Sequence, residues 1–123
     1  MIIRKGPEEI DRIAKAGALV AATIDHVGRH LEPGVTTAQL DDVADAFIRE
    51  HGGIPTSKGY KGYPAAICIS PNEIVVHGIP GRHVVVEGDV ITIDVGVTVD
   101  GAIADSAYTF GVGAISDEAV RLL

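Results

Sequence analysis

Three residues combine reactive side chains with suggestive spacing: His77, Asp94 and Asp105. All three lie in apolar, β-type sequence, where charged groups are seldom buried unless they are paired or bind metal. Asp94 and Asp105 flank Asp100-Gly101, a strong signal for a two-residue hairpin turn. If those residues turn the chain, Val99 pairs with Ala102 and Gly96 pairs with Asp105. Asp94 shares a face with Gly96, so the aspartates become diagonal neighbours, roughly 5–8 Å apart at Cβ. Gly96 leaves the space beside Asp105 empty. Two carboxylates at that separation repel each other unless a cation neutralises them, and a divalent metal or a metal pair does so. A metal pair can also clamp a hydrolytic transition state. The simpler alternative places both aspartates on the solvent face of the hairpin. Aspartate is poor in mid-strand, and the glycine opposite favours a shared site.

His77 follows two valines and precedes Gly78-Ile79-Pro80. A lone histidine is either a catalytic group or a structural hydrogen-bonder, and spacing does not decide between them. Cys68 sits in an apolar strand and reads as a small core residue. His26, His30, His51 and His83 read as surface or helix-end residues. Gly59, Gly62, Gly78 and Gly81 make no phosphate loop, because no Gly-Lys-Ser/Thr run follows them.

Pro7-Glu8-Glu9 starts a first helix, with proline at an early position and two acids at the positive end of the dipole. Its apolar stripe is Ile10, Ile13, Ala14, Gly17, Val20, Ala21, Ile24, Val27 and Leu31, and Glu32-Pro33-Gly34 ends it. Thr36 and Gln39 form a capping box for a second helix, whose apolar face is Leu40, Val43, Ala44, Phe47 and Ile48. Gly52-Gly53 closes that helix. Residues 54–64, rich in Gly, Pro and Ser with two Tyr, read as a loop with the composition of a pocket wall. Ala66–Ser70 and Ile74–His77 read as short strands. Val90–Val99 and Ala102–Val112 read as the arms of the hairpin, with Ile91, Ile93, Val95, Val97 and Val99 on its core face. Ser116 caps a last helix that stops after one apolar turn. A helix that short is marginal by itself, so the chain reads as truncated or engineered.

The 123 residues suffice for one domain. Aromatic residues make up only 4% of the chain, so aliphatic side chains must fill the core. A net charge of -7 argues against nucleic acid and anionic membrane as partners. The sequence shows no signal-peptide pattern and no run of membrane-spanning length. One cysteine excludes an intramolecular disulfide, and the expected compartment is cytoplasmic.

Several motifs together resemble a known family. They are Gly59-Tyr60-Lys61-Gly62-Tyr63-Pro64, Cys68-Ile69-Ser70-Pro71-Asn72-Glu73, His77-Gly78-Ile79-Pro80, Gly88-Asp89-Val90-Ile91-Thr92-Ile93-Asp94-Val95-Gly96 and Asp100-Gly101 to Asp105. With Pro7-Glu8-Glu9-Ile10, they resemble the N-terminal half of a type I methionine aminopeptidase. The resemblance implies an α+β fold, half of a pita-bread architecture, with two helices on an antiparallel sheet. Residues 1–123 would be one half-domain, with the C-terminal half absent.

The resemblance also implies roles. Asp94 and Asp105 would be metal ligands, and His77 would contact substrate at the scissile peptide. Tyr60, Tyr63 and Cys68 would line the methionine pocket, and the loop of Asn72 and Ile74 would hold a monovalent cation. A complete site would take two divalent ions (Co, Mn, Fe or Zn) and act on the N-terminal methionine of peptides or nascent proteins. The family's second-half His and Glu ligands have no counterpart here. The expected partner is therefore a missing C-terminal half or a second copy of the chain, and an isolated half can be metal-free. The alternative is a non-catalytic half-scaffold that homodimerises. An Xaa-Pro-cleaving relative fits less well, because the Tyr-Pro and Cys-Ile-Ser-Pro-Asn-Glu pattern is of the methionine type.

Overall fold

A computed structural model describes residues 1–123. The elements in order are α1 (Pro7–Gly28), α2 (Thr37–Glu50), β1 (Ile54–Pro55), β2 (Cys68–Pro71), β3 (Val90–Val99), β4 (Ala102–Gly111) and α3 (Asp117–Leu122). A short 3-10 turn spans Tyr60–Gly62. All strand pairings are antiparallel. β3 is the hub: β4 pairs along one side, and β1 and β2 share the other. The helices α1 and α2 cover one face of the sheet, giving the α+β arrangement expected.

The hairpin forms as the sequence predicts. Gly96 lies opposite Asp105 and Val99 opposite Ala102. Asp100 and Gly101 both take positive φ, 48° and 76°, the requirement of the twisted turn that matches strand twist. Ile91, Ile93, Val95 and Val97 are fully buried under the helices. Each such side chain contributes about 1.5–3 kcal/mol on burial. Because strand side chains alternate, the even positions Thr92, Asp94, Gly96 and Thr98 must face the other way.

α2 begins as expected. The Thr36 hydroxyl accepts from the Gln39 N–H at 3.2 Å, and Gln39 Oε1 accepts from the Thr36 N–H at 2.9 Å. Thr36→Ala is expected to cost about 1 kcal/mol, read as a lower midpoint in urea denaturation with an unchanged slope. Leu40, Ala44 and Ile48 are buried, with Val43 and Phe47 packed at the margin.

Four expectations need correction. First, the buried stripe of α1 is Ala16, Leu19, Val20, Thr23, Ile24 and Val27, rotated from the one predicted. Ile10 is 54% exposed. The helix packs against α2 as well as the sheet, so the buried arc widens toward Leu19. Thr23 tolerates burial by donating its hydroxyl to the Leu19 carbonyl at 2.7 Å. Gly17 and Ala21 instead border a groove beside β4. Second, regular α1 ends at Gly28, and the residues to Leu31 continue only as turns.

Third, β2 starts at Cys68 and not at Ala66. The Asp41 carboxylate of α2 captures the N–H groups of Ala66 and Ile67 at 2.9 and 3.0 Å. Fourth, Ile74–His77 is not a strand. The Ile74 N–H closes a turn on the Pro71 carbonyl, and beyond it the Ser70 hydroxyl takes the Gly78 N–H that a ladder would need. The sequence also gave no notice of β1, a two-residue strand whose Ile54 pairs with Thr98.

Candidate active site

β3 positions the site. Its outward face carries Asp94, and β2 places Cys68 directly beside it. β4 adds Ala107 opposite Asp94 and Asp105 opposite Gly96. The two aspartates are therefore diagonal neighbours on one face. A Cβ built on Gly96 would stand 3.0 Å from Asp105 Oδ2 and 3.4 Å from Thr56 Cβ. The missing side chain is thus what lets the Asp105 carboxylate lean across β3. Thr56–Thr98 and Thr92–Thr109 hydroxyl pairs, each 2.8 Å apart, flank the carboxylates above and below.

Asp94 is half-buried and Asp105 exposed. Neither carboxylate takes a side-chain hydrogen bond or an ion pair from the chain, although all five salt bridges elsewhere satisfy other acids. Burial raises the Asp94 pKa, the Asp105 charge raises it further, and His77 offsets part of this. The pair thus carries a charge that the fold does not neutralise. A cation between the two carboxylates would relieve that repulsion. The donors are hard oxygens, suited to a divalent ion. No group of three or more His, Cys, Asp or Glu side chains is placed to hold a metal. The two carboxylates therefore suit a divalent ion in donor chemistry but make up only part of a ligand set.

Next to the carboxylates lies a pocket of about 520 Å³, lined in part by Ser57, Tyr60, Tyr63, Cys68, His77 and Ile79. The predicted pocket residues and His77 therefore converge, although they come from three separate segments. Tyr60 is 65% exposed and stands at the mouth. Cys68 is buried, and burial raises its thiol pKa, so it is a neutral wall and no thiolate nucleophile. Burial, followed by the Cys68 neighbour, likewise raises the Tyr63 pKa and keeps its phenol protonated. His77 adopts φ 57°, an uncommon left-handed conformation for a non-glycine residue.

Asn72 and Ile74 lie together in the turn after β2. Asn72 has φ 51°. Its amide donates to Asp89 at 3.0 Å and its side-chain oxygen accepts from the Val90 N–H at 3.0 Å. Asp89 is 5% exposed and also accepts from the Val86 N–H and from His83 Nε2, each at 3.0 Å. Burial alone would raise its pKa, but the bonds from Asn72, Val86 and His83 outweigh that and hold it low. His83, read as a surface residue, is 39% exposed at its side chain yet serves this network.

Sequence reasoning missed Asp41, Asp89 and Ser70 as contributors. Ser70 alone had a usable signal, since it alternates with Cys68 on the site face. Asp41, and Asp89 in its bond from Asn72, act on partners whose proximity only the tertiary fold creates.

Comparison with known proteins adds an independent line. The family profile of metallopeptidase family M24 matches residues 11–123. Methionine aminopeptidase 1 of Bacillus subtilis is 46% identical over 123 residues, covering 100% of this chain and 50% of that protein. The crystal structure of methionine aminopeptidase from Rickettsia prowazekii superposes with a TM-score of 0.96 at 38% identity, over 99% of this chain and 49% of that one. An Xaa-Pro dipeptidase from Bacillus anthracis follows at a TM-score of 0.80 and 25% identity, over 95% of this chain and 32% of its own. The chain thus spans about half the length of the relatives it matches. The resemblance to the first half of a methionine aminopeptidase is borne out, as is the half pita-bread fold.

Proposed function

The chain belongs to metallopeptidase family M24, and on that footing we propose that it supplies the first half of an active site that removes N-terminal methionine from peptides. The observation that carries this reading is the pair Asp94 and Asp105, unneutralised on one face beside the pocket of His77 and Cys68. Asp94 and Asp105 would hold divalent ions, of the class Co, Mn, Fe or Zn, together with ligands from a second half. Such ions supply Lewis-acid polarisation of the scissile carbonyl and a lowered pKa for the attacking water.

The chain's own residues do the remaining work. His77 donates a hydrogen bond to the substrate peptide and favours the charge that develops on its oxygen. Tyr60 screens the mouth, while the Tyr63 ring and the Cys68 thiol form an apolar wall for a methionine side chain. The turn of Asn72 and Ile74 offers backbone carbonyls to a monovalent cation, and the Asn72 side chain pins that turn. The fold has no membrane-crossing helix, and a cytoplasmic location for the activity is part of this reading.

The test joins residues 1–123 to the second half of the Bacillus subtilis enzyme and assays Met-Gly peptides with Co or Mn. Turnover by the joined enzyme, none by the 123-residue chain alone, and loss of turnover in the joined Asp94→Ala control is the expected pattern. An inactive, folded joined enzyme would refute the reading.

A second reading draws on β4. This ten-residue strand pairs with β3 only, and Ile103 and Tyr108 on it are exposed. Such an edge invites pairing, so a non-catalytic scaffold that homodimerises through it is the alternative. A monomeric mass by light scattering would remove it.

A further inference from the structure

The residue after His77 is held from both sides. The Gly78 N–H donates to Ser70 Oγ at 3.0 Å. The Gly78 carbonyl accepts from the Ile69 N–H at 3.0 Å and from the Tyr63 hydroxyl at 3.0 Å. The same hydroxyl lies 3.2 Å from the Ile67 carbonyl oxygen. The approach to β2 is so close that a Cβ at position 78 would overlap the Ile69 carbonyl oxygen, and would stand 2.8 Å from the Ile69 carbonyl carbon and 3.0 Å from Ser70 Cα. Only glycine fits there. Immediately before it, His77 keeps a left-handed backbone at φ 57°, a conformation that persists where the surroundings over-determine it. The clamp supplies that constraint, since no regular ladder runs through this segment.

We propose that Tyr63 and Ser70 are positioning residues for His77: by fixing the Gly78 peptide against β2, they hold the left-handed turn that keeps the His77 ring in the pocket beside Asp94. This rests on the peptidase reading for its consequence but not for its geometry. It assigns Tyr63 more than a pocket wall. Its hydroxyl is engaged with carbonyl oxygens of the chain, which leaves the ring for a substrate. Ser70, on the same sheet face as Cys68 and Asp94, acts without touching the pocket. A clamp of this kind matters because a catalytic hydrogen-bond donor displaced by about 1 Å loses much of its effect.

The test uses the 123-residue chain and NMR. Ser70→Ala removes the acceptor of the Gly78 N–H, and Tyr63→Phe removes a donor to its carbonyl while keeping the ring. Ser70→Ala is expected to speed hydrogen exchange of the Gly78 amide about fivefold or more. Both variants are expected to move the His77 ring cross-peak, with the methyl signals of Ile67 and Ile93 in place. Ser70→Thr, which keeps a hydroxyl, is expected to restore the His77 signal. An unmoved His77 cross-peak in both variants overturns the proposal, and so does a shift matched by equal shifts throughout the core. Should Ser70→Ala fail to fold, Tyr63→Phe and Ser70→Thr decide the matter by the same signal. In the joined enzyme, the same variants are expected to lower kcat with KM little changed. If that enzyme shows no turnover at all, the peptidase reading fails, while the His77 cross-peak still judges the clamp.

Discussion

Asp94→Asn is expected to cut methionine-peptide turnover by the joined enzyme about a thousandfold or more, and at the same time to make the metal-free 123-residue chain more stable. The two effects share one cause. Asp94 is half-buried, has no donor from the chain and faces Asp105, and burial followed by that second charge raises its pKa above the ordinary 3.8. A carboxyl whose folded pKa is raised costs stability wherever it is ionised. As pH falls through the raised pKa, the folded state takes up its proton first and recovers that cost. The advantage of Asn is therefore largest at neutral pH, shrinks as pH falls, and is gone below about 3.8, where both states are protonated. Much of Asp94 still meets solvent, which screens the effect to less than about 1 kcal/mol. Thermal unfolding at a series of pH values checks the stability arm and peptide hydrolysis the other. A chain destabilised by Asn at pH 7 would mean that the carboxylate has a partner and is no cation site.

Asp89→Ala is expected to destabilise the chain by about 3 kcal/mol. Removing this buried acceptor strands the Asn72 amide, the Val86 N–H and His83, each 3.0 Å from it. Here the pH dependence has the opposite sign. Three hydrogen bonds outweigh burial and hold the Asp89 pKa below its ordinary value, so its contribution is complete above about 3.8 and is lost as pH falls through the lower folded value. The gap between the wild type and Asp89→Ala should then narrow in strong acid, as read from urea unfolding at pH 7 and pH 2.5. Because Asn72 anchors the turn that carries Ile74, the variant should also loosen that turn. A stability change under about 0.5 kcal/mol, the usual size for a surface site, would mean that the network is ornamental.

The carboxylate pair was legible in the sequence because a two-residue turn fixes register. Once Asp100-Gly101 turns the chain, strand alternation leaves no freedom in which face Asp94 and Asp105 occupy, and the structure places Gly96 opposite Asp105 accordingly. The capping box at Thr36 and Gln39 was equally plain, since its partners are three residues apart. The α1 stripe was misplaced by part of a turn because helical periodicity names an apolar arc without saying how many neighbours it must meet. Leu19 and Thr23 are buried because α1 packs against α2 as well as the sheet, which no local pattern records.

What the sequence by itself determined is therefore whatever short-range geometry dictates: the hairpin, its core and site faces, the helix starts, and the motifs that point to the family. Tertiary structure alone decided how Tyr63, Cys68 and His77 meet at one pocket, why Ile74–His77 fails to become a strand, and which acids are neutralised. Asp41 bonds to the backbone of Ala66 and Ile67, and Asp89 to the Asn72 side chain, across the fold. Hydrogen-bond partners chosen by proximity in space, against a low-dielectric interior, leave no periodic trace along the chain.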